Sequence, residues 1–201
     1  MPSPRELVGE FAEKPDFIEF WDRPIPQDTA ERIVKIVRED KAKFGSQASE
    51  LAYSIFTQYH VEQRKRLKKI MALYEWIITF AGPDGYVRHF QNDIDGVEKV
   101  SHFPQILYTM KHYGVIGDCD DHCVLMGVLA KAAGIPAVLI LAGRSPQGFS
   151  HVYLKLESRP ATPKLSGEWI SFDPTPRIDG SHQALGWEFP WDHPYYKEYL
   201  L

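Results

Sequence analysis

The sequence predicts an α+β fold in which a mainly helical N-terminal half is followed by an antiparallel sheet. Apolar residues recur at helical spacing through much of residues 28–80. After Pro136 the period changes to that of strands, and the short connections between apolar runs favour an antiparallel meander. A helix that starts near Gly117 precedes this sheet, and we expect it to pack on the sheet. The three predicted strands are 137–142, 149–157 and 169–173.

The composition describes an ordinary globular protein, and we predict a single domain over residues 1–201. The net charge of −4 gives no general attraction to nucleic acid or to an anionic membrane. The basic run 64–69 is interrupted by an apolar residue, and we interpret it as a solvated helix face rather than a partner contact. The N-terminus lacks the apolar stretch of a signal peptide, and no run approaches the length of a membrane span. We therefore expect a cytoplasmic protein with no nucleic-acid or membrane partner.

The first part of the chain, residues 1–100, is predicted to be mainly helical. Gly45 and Ser46 are expected to break the helical pattern, because glycine and serine favour loops between periodic segments. The acidic stretch 93–98 lacks the spacing of a calcium-binding EF-hand loop, and we interpret it as a turn. The other elements, in order, are a helix at 6–13, an extended segment at 21–26, a helix at 28–44, a helical region at 47–80 interrupted near 59–60 and ended by Gly82 and Pro83, and an irregular segment at 86–101 with a short strand at 86–90.

The middle part, residues 101–176, contains the candidate catalytic core. Pro104 opens a short helix that reaches His112. Asp118 then suits the N-cap of the next helix, where its side chain would accept from free N–H groups. Cys119 falls at the first helical position, and the helix dipole there favours the reactive thiolate.

A cysteine nucleophile needs a general base, and that base needs an orienting partner. His151 lies on the first strand after the cysteine helix to carry a histidine, and Asp173 closes the following strand. Side chains on neighbouring antiparallel strands can meet across a sheet, and a helix packed on that sheet would bring the thiol of Cys119 to them. The pattern therefore predicts a Cys-His-Asp triad.

Three blocks of the sequence resemble the transglutaminase-like superfamily, whose fold is related to that of papain. The first block is similar to that of small transglutaminase-like proteins found in bacterial and phage genomes. The resemblance covers roughly residues 100–176. The blocks are Gly117-Asp118-Cys119-Asp120-Asp121 with Ala133-Gly134-Ile135-Pro136-Ala137 downstream of it, Ser150-His151-Val152-Tyr153, and Trp169-Ile170-Ser171-Phe172-Asp173-Pro174-Thr175.

The resemblance implies that Cys119 is the nucleophile, His151 the general base and acid, and Asp173 the residue that orients His151. The implied chemistry is acyl transfer, in which an amide carbonyl is attacked, an amine leaves and a thioester forms. We expect hydrolysis of the thioester, as in a peptidase or amidase that acts on a protein or peptide. The backbone N–H of Cys119 can serve as one oxyanion donor. The triad requires no cofactor, and we predict none.

Five residues are secondary candidates for substrate binding or for the oxyanion hole. The negative charges of the aspartates beside Cys119 would raise the pKa of its thiol and oppose the helix dipole. The plain alternative for Asp120 and Asp121 is that they are first-turn helix acids. These candidates are Gln105, Asp118, Asp120, Asp121 and Trp169.

The remaining nearby residues have plainer interpretations. Cys123 is interpreted as a small core residue, and His122 as a surface or partly buried helix residue. Both cysteines are expected to be reduced thiols. A zinc site at the two cysteines, His112 and His122 is disfavoured, since paired ligand spacing is absent, and we predict no metal.

Two other functions are open. The fold can be retained as a catalytically weak or inactive structural or binding module, for example in a phage particle, with phage structural proteins as partners. The aromatic-rich tail 177–201, which we expect to wrap the body, would then dock a partner or cover the groove with Trp187 or Trp191. A protein cross-linking transglutaminase would use the same triad but would also require an amine-binding site.

Overall fold

The computed structural model describes residues 2–12, 19–22, 26–62, 64–80, 97–114, 117–145, 149–163, 165–175, 184–187 and 195–201. These ranges form helices α1 (Pro4–Phe11), α2 (Pro26–Gln58), α3 (Arg66–Thr79), α4 (Phe103–Tyr113) and α5 (Cys119–Ala132). They also form strands β1 (Glu19–Asp22), β2 (Val97–Val100), β3 (Ala137–Gly143), β4 (Phe149–Arg159), β5 (Glu168–Phe172) and β6 (Tyr195–Leu200). The predicted α+β class is confirmed. None of the described helices is long and apolar enough to cross a membrane.

The main sheet has four strands in the order β5-β4-β3-β6, and its described pairings are antiparallel. The predicted meander of β3, β4 and β5 is confirmed. The fourth strand, β6, comes from the tail that was expected only to wrap the body. It pairs with the outer edge of β3, with Leu200 opposite Val138 and Tyr195 opposite Gly143. Tyrosine is frequent in strands, so the three tyrosines of β6 are the sequence feature that favours a strand in this segment.

Helix α5 lies at the centre of the molecule, between the sheet and the long helix α2. Every residue from Asp120 to Ala130 is buried, so the helix is covered on all sides rather than along one stripe. The two helices approach closely at Gly127. A methyl group on Gly127 would lie 3.0 Å from Val37 Cγ2 and 3.2 Å from Leu201 Cδ1. The packing of α2 on α5 therefore depends on a residue without a side chain at this position.

The expected helix break at Gly45 and Ser46 is wrong, because α2 runs unbroken through both residues. A glycine inside a helix costs about 1 kcal/mol relative to alanine. Burial of Phe44 and Ala48 on either side outweighs this cost, and the Ser49 hydroxyl donates to the carbonyl of Gly45. The real break lies between α2 and α3, where His60 has a φ of 53°.

The N-terminal segment departs from the sequence expectations in two smaller ways. Helix α1 starts at Pro4, because Ser3 and Glu6 form a reciprocal capping box ahead of it. The end of the segment expected to be irregular forms β2, which pairs antiparallel with β1. The short strand predicted at 86–90, most of the turn at 93–98 and the helix stop at Gly82 and Pro83 lie outside the described residues.

The two interior helix glycines provide a matched test of this packing. Gly45→Ala adds a methyl group whose nearest neighbour is the flexible Lys41 side chain at 3.9 Å. It should raise the free energy of unfolding by about 0.5–1 kcal/mol through better helix propensity. Gly127→Ala places the same group against Val37 and should instead lower it by about 1–3 kcal/mol through overpacking. Urea unfolding of both variants checks the prediction, and equal effects would contradict it.

Candidate active site

The start of α5 is held by Asp121, whose carboxylate folds back across Gly117. Oδ1 of Asp121 accepts a hydrogen bond from the backbone N–H of Ser101 at 2.8 Å. A methyl group on Gly117 would lie only 1.9 Å from Asp121 Oδ2, and Gly117 also has a φ of 102°, which disfavours other residues. Asp121 lies in the first turn of α5, as the sequence predicts. Its carboxylate ties the start of α5 to the segment that leads into α4.

Asp118 occupies the N-cap position of α5, but the expected capping hydrogen bond from its side chain is not formed. Its backbone carbonyl instead accepts from the N–H of His122 at 3.1 Å and from His122 Nδ1 at 2.8 Å. His122 is only 2% exposed, so its predicted surface or partly buried position is wrong. Its ring adds a second donor to the Asp118 carbonyl and does not replace the missing side-chain cap.

Two side chains predicted from separate strands meet on the sheet. Nε2 of His151 lies 2.8 Å from Oδ2 of Asp173. His151 lies on β4, and Asp173 directly follows β5, which pairs antiparallel with β4. The Tyr153 ring stacks on His151 with centroids 6.0 Å apart. Since Nε2–H donates to the carboxylate, Nδ1 becomes the basic nitrogen of the neutral ring.

Asp173 is 4% exposed and is held by several neighbours. Oδ1 accepts from the backbone N–H of Thr175 at 3.2 Å. Burial raises the pKa of Asp173, but the hydrogen bond and charge of His151, with the bonds from Thr175, outweigh it and hold the pKa below 3.8. The carboxylate is therefore ionised at neutral pH and can orient the His151 ring.

Helix α3 contacts the backbone at Asp173 through Tyr74. The hydroxyl of Tyr74 lies 3.5 Å from the backbone carbonyl of Asp173, and its ring packs edge-on against Phe172. Burial, followed by the charges of Asp173 and Glu75, raises the pKa of Tyr74 to about 12. Tyr74 therefore keeps its proton, and it is a supporting residue that the catalytic motif did not indicate.

The thiol of Cys119 lies beside strand β4 and has a raised pKa. Burial is the largest cause, and the charges of Asp120 and Asp118 raise the pKa further above its ordinary value of 9.0. A hydrogen bond from the backbone N–H of Val152 opposes them, and the charge of Asp173 adds a smaller increase. The expected helix-dipole stabilisation of the thiolate is therefore outweighed, and the resting group at neutral pH is a protonated thiol.

A narrow crevice of about 170 Å³ connects the thiol with Asp173. It has no room for a water-sized sphere, although Cys119 as a residue is partly exposed. Gln105, Trp169 and His151 do not line it, but His151 contacts the lining residue Asp173. Trp169 is 44% exposed on the edge strand β5. Cys123 is buried, as predicted, and also faces the crevice. The lining residues are Cys119, His122, Cys123, 152–154 and 172–175.

Within the ranges that the structure describes, no three histidine, cysteine or acidic residues are placed to hold a metal ion. His112, one of the residues of the disfavoured zinc site, packs its ring 4.3 Å from that of Tyr108 on α4. Both cysteines are free thiols.

Comparisons of this chain with protein-family models, with curated proteins and with solved structures gave no match.

The Asp173–His151 contact predicts a specific dependence of stability on pH. The folded-state pKa of Asp173 is lowered, so its contribution is present above the unfolded value and is lost as pH falls through the folded one. Asp173→Asn removes this titration. The free energy of unfolding of the Asp173→Asn variant should therefore fall less than that of the wild type as the pH is lowered from about 5.5 to 3. Urea unfolding at several pH values measures both slopes, and parallel slopes would contradict the assignment.

The carboxylates around the thiol predict a second result. Asp120→Asn removes a negative charge that raises the pKa of Cys119, so the midpoint of thiol ionisation should move to lower pH. The rate of iodoacetamide alkylation across the alkaline range measures that midpoint, in a Cys123→Ala background so that one thiol titrates. Asp28→Asn, in the first turn of α2, is the control and should leave the midpoint unchanged. A shift in both variants would remove the local explanation.

Proposed function

We propose that this protein is a cysteine-dependent enzyme for acyl transfer or hydrolysis at an amide bond, with a transglutaminase-like fold related to papain. The observation that carries the proposal is the position of Asp173. Its carboxylate holds Nε2 of His151 at 2.8 Å, and it also lines the crevice that contains the Cys119 thiol. The three sequence blocks that resemble the superfamily supply the same three residues in the same order.

In the proposed reaction His151 is the general base and Cys119 the nucleophile. Nδ1 of His151 takes the thiol proton while sulfur attacks the amide carbonyl, and Asp173 stabilises the resulting imidazolium. The N–H of Cys119 supports the tetrahedral oxyanion. His151 then gives its proton to the departing amine, which leaves a thioester on the sulfur. Water attacks the thioester, releases the acid and restores the thiol.

The raised pKa of Cys119 decides the timing of the proton transfer in this proposal. A protonated thiol cannot attack, so proton removal by His151 accompanies attack rather than preceding it. Because burial is the largest cause of the raised pKa, a substrate that opens the crevice also changes the pKa of the Cys119 thiol. The pKa of Cys119 in the proposed enzyme therefore depends on what occupies the crevice.

Hydrolysis is favoured over cross-linking because water is always present, whereas a transglutaminase needs a bound amine. A peptidase or amidase is therefore the first form of the proposal, and a cross-linking transglutaminase is the second. The free thiols fit the reducing cytoplasm as the site of action.

The narrow crevice favours a second candidate function. A thiol in a crevice without room for a water-sized sphere, with a pKa well above 9.0, also fits a retained fold without catalysis. Such a protein would be a structural or binding module, and the resemblance to phage-encoded proteins suggests phage structural proteins as partners.

Acylation by p-nitrophenyl acetate tests the enzyme proposal directly. Wild-type protein should gain one acetyl group on Cys119, seen by peptide mass spectrometry, and release p-nitrophenol in a burst. His151→Gln should slow this acylation by about a hundredfold, since the general base is lost. Cys123→Ala, which removes the other thiol at the crevice, should acylate normally. Adding a primary amine distinguishes transfer from hydrolysis through the amide product.

Cys119→Ala sets the background from lysine acetylation. Acylation of the wild type at this background rate would overturn the enzyme proposal and favour the binding module. Equal acylation of the wild type and His151→Gln would show a reactive thiol without the proposed base.

A further inference from the structure

A second, open pocket lies at the far end of α5 from Cys119, where the helix end meets the middle of α2. Its volume is about 510 Å³, which lies within the range of small-molecule sites. Helix α5 has 14 residues, which at 1.5 Å per residue separates the pocket from the thiol by about 20 Å. The pocket is therefore distinct from the crevice. Its lining residues are Lys41, Ala42, Lys43, Gly45, Ser46, Ser49, Lys131, Ala132 and Gly134.

Positive charge dominates this pocket, because its charged lining residues are all lysines. Three carboxylates flank the lining residues of α2; Glu50 is exposed beside Ser49, and the other two have partners elsewhere. Glu39 lies 3.7 Å from Lys35, while Asp40 is buried and accepts from the backbone N–H of Phe103 at 2.6 Å. In the part of the chain that is described, no ion pair joins a carboxylate to the pocket lysines.

The ionisation of Lys131 reflects the same excess of charge. Burial lowers the pKa of Lys131, and the charges of Arg38 and Lys41 lower it further. Positive charges therefore repel one another around this pocket. An anion bound there would relieve that repulsion, because it would interact favourably with several cations at once.

The rest of the lining supplies hydrogen-bonding groups and space. The Ser49 hydroxyl lies 2.7 Å from the carbonyl of Gly45 and 3.3 Å from that of Ala132, so it links the two helices at the pocket wall. The Ser46 side chain is exposed and lines the pocket. Gly45 has no side chain, and the stem of Lys41 lies 3.9 Å from where one would begin. Ammonium and hydroxyl groups around an open volume match the chemistry of phosphate recognition.

We propose that this pocket binds a small anion that carries two or more phosphate groups. The number of lysines and the volume both exceed what a single phosphate needs. Lys41 on α2 and Lys131 on α5 line the pocket from two different helices. This inference is independent of the acyl-transfer proposal, since it involves neither the thiol nor His151.

Isothermal titration calorimetry of the full chain with inorganic triphosphate tests the proposal. We expect saturable binding at one site and weaker binding of orthophosphate. The double variant K41A/K131A removes two pocket charges and should weaken triphosphate binding by about tenfold or more. R64A/K68A removes two charges from the exposed basic run before and within α3 and should stay within about twofold of the wild type. Both variants have the same net charge, so general electrostatic attraction is matched.

Several results would overturn the proposal. They are the absence of saturable binding, equal affinity for triphosphate and orthophosphate, or equal weakening in the two double variants. Thermal unfolding without ligand shows whether both variants fold. Should K41A/K131A not fold, the exposed single variant K43A replaces it, and unchanged triphosphate affinity in K43A would count against the pocket.

Discussion

Complete burial of α5 is the constraint on which the rest of the structure depends. A helix covered on all sides needs a layer of apolar groups on every face, and α2, α4, β3 and β4 supply them. Gly127 lets α2 approach closely, and Leu201 after β6 reaches the same place. The long α2 then has no freedom to break at Gly45, because a break would remove cover from α5. The central helix therefore determines the length of its neighbours.

The same burial places polar groups where water cannot solvate them. Asp120 and Asp121 are almost fully buried at the start of α5, and buried carboxylates are costly unless they receive hydrogen bonds. Asp121 receives one from the backbone of Ser101, and its own approach across Gly117 requires a residue without a side chain. The dipole at the N-terminus of α5 also stabilises these two carboxylates. The buried negative charge disfavours a thiolate at Cys119, because Asp120 and Asp118 raise the pKa of its thiol.

The sequence was sufficient where short-range periodicity decides the structure. The assignment of His151 and Asp173 to neighbouring antiparallel strands predicted that their side chains would meet, and the two groups lie 2.8 Å apart. The sequence pattern was insufficient where contacts between distant segments determine the structure. The burial of His122 depends on elements packed around α5, and β6 depends on an open edge of β3 that pattern analysis does not reveal. Gly45 signalled a loop locally, but tertiary packing outweighed that preference.

The raised pKa of Cys119 and the lowered pKa of Asp173 describe one electrostatic system. The carboxylate of Asp173 accepts a hydrogen bond from His151 and its charge also disfavours a thiolate at Cys119. Burial and the charges of Asp120 and Asp118 oppose the thiolate more strongly, while the Val152 N–H and the helix N-terminus favour it. In the proposed reaction the thiol proton leaves as sulfur bonds to the amide carbon, so negative charge passes to the carbonyl oxygen and the later thioester is neutral. An arrangement of this kind favours an acylated sulfur over an ionised one, because the neutral thioester carries no charge for the surrounding carboxylates to repel.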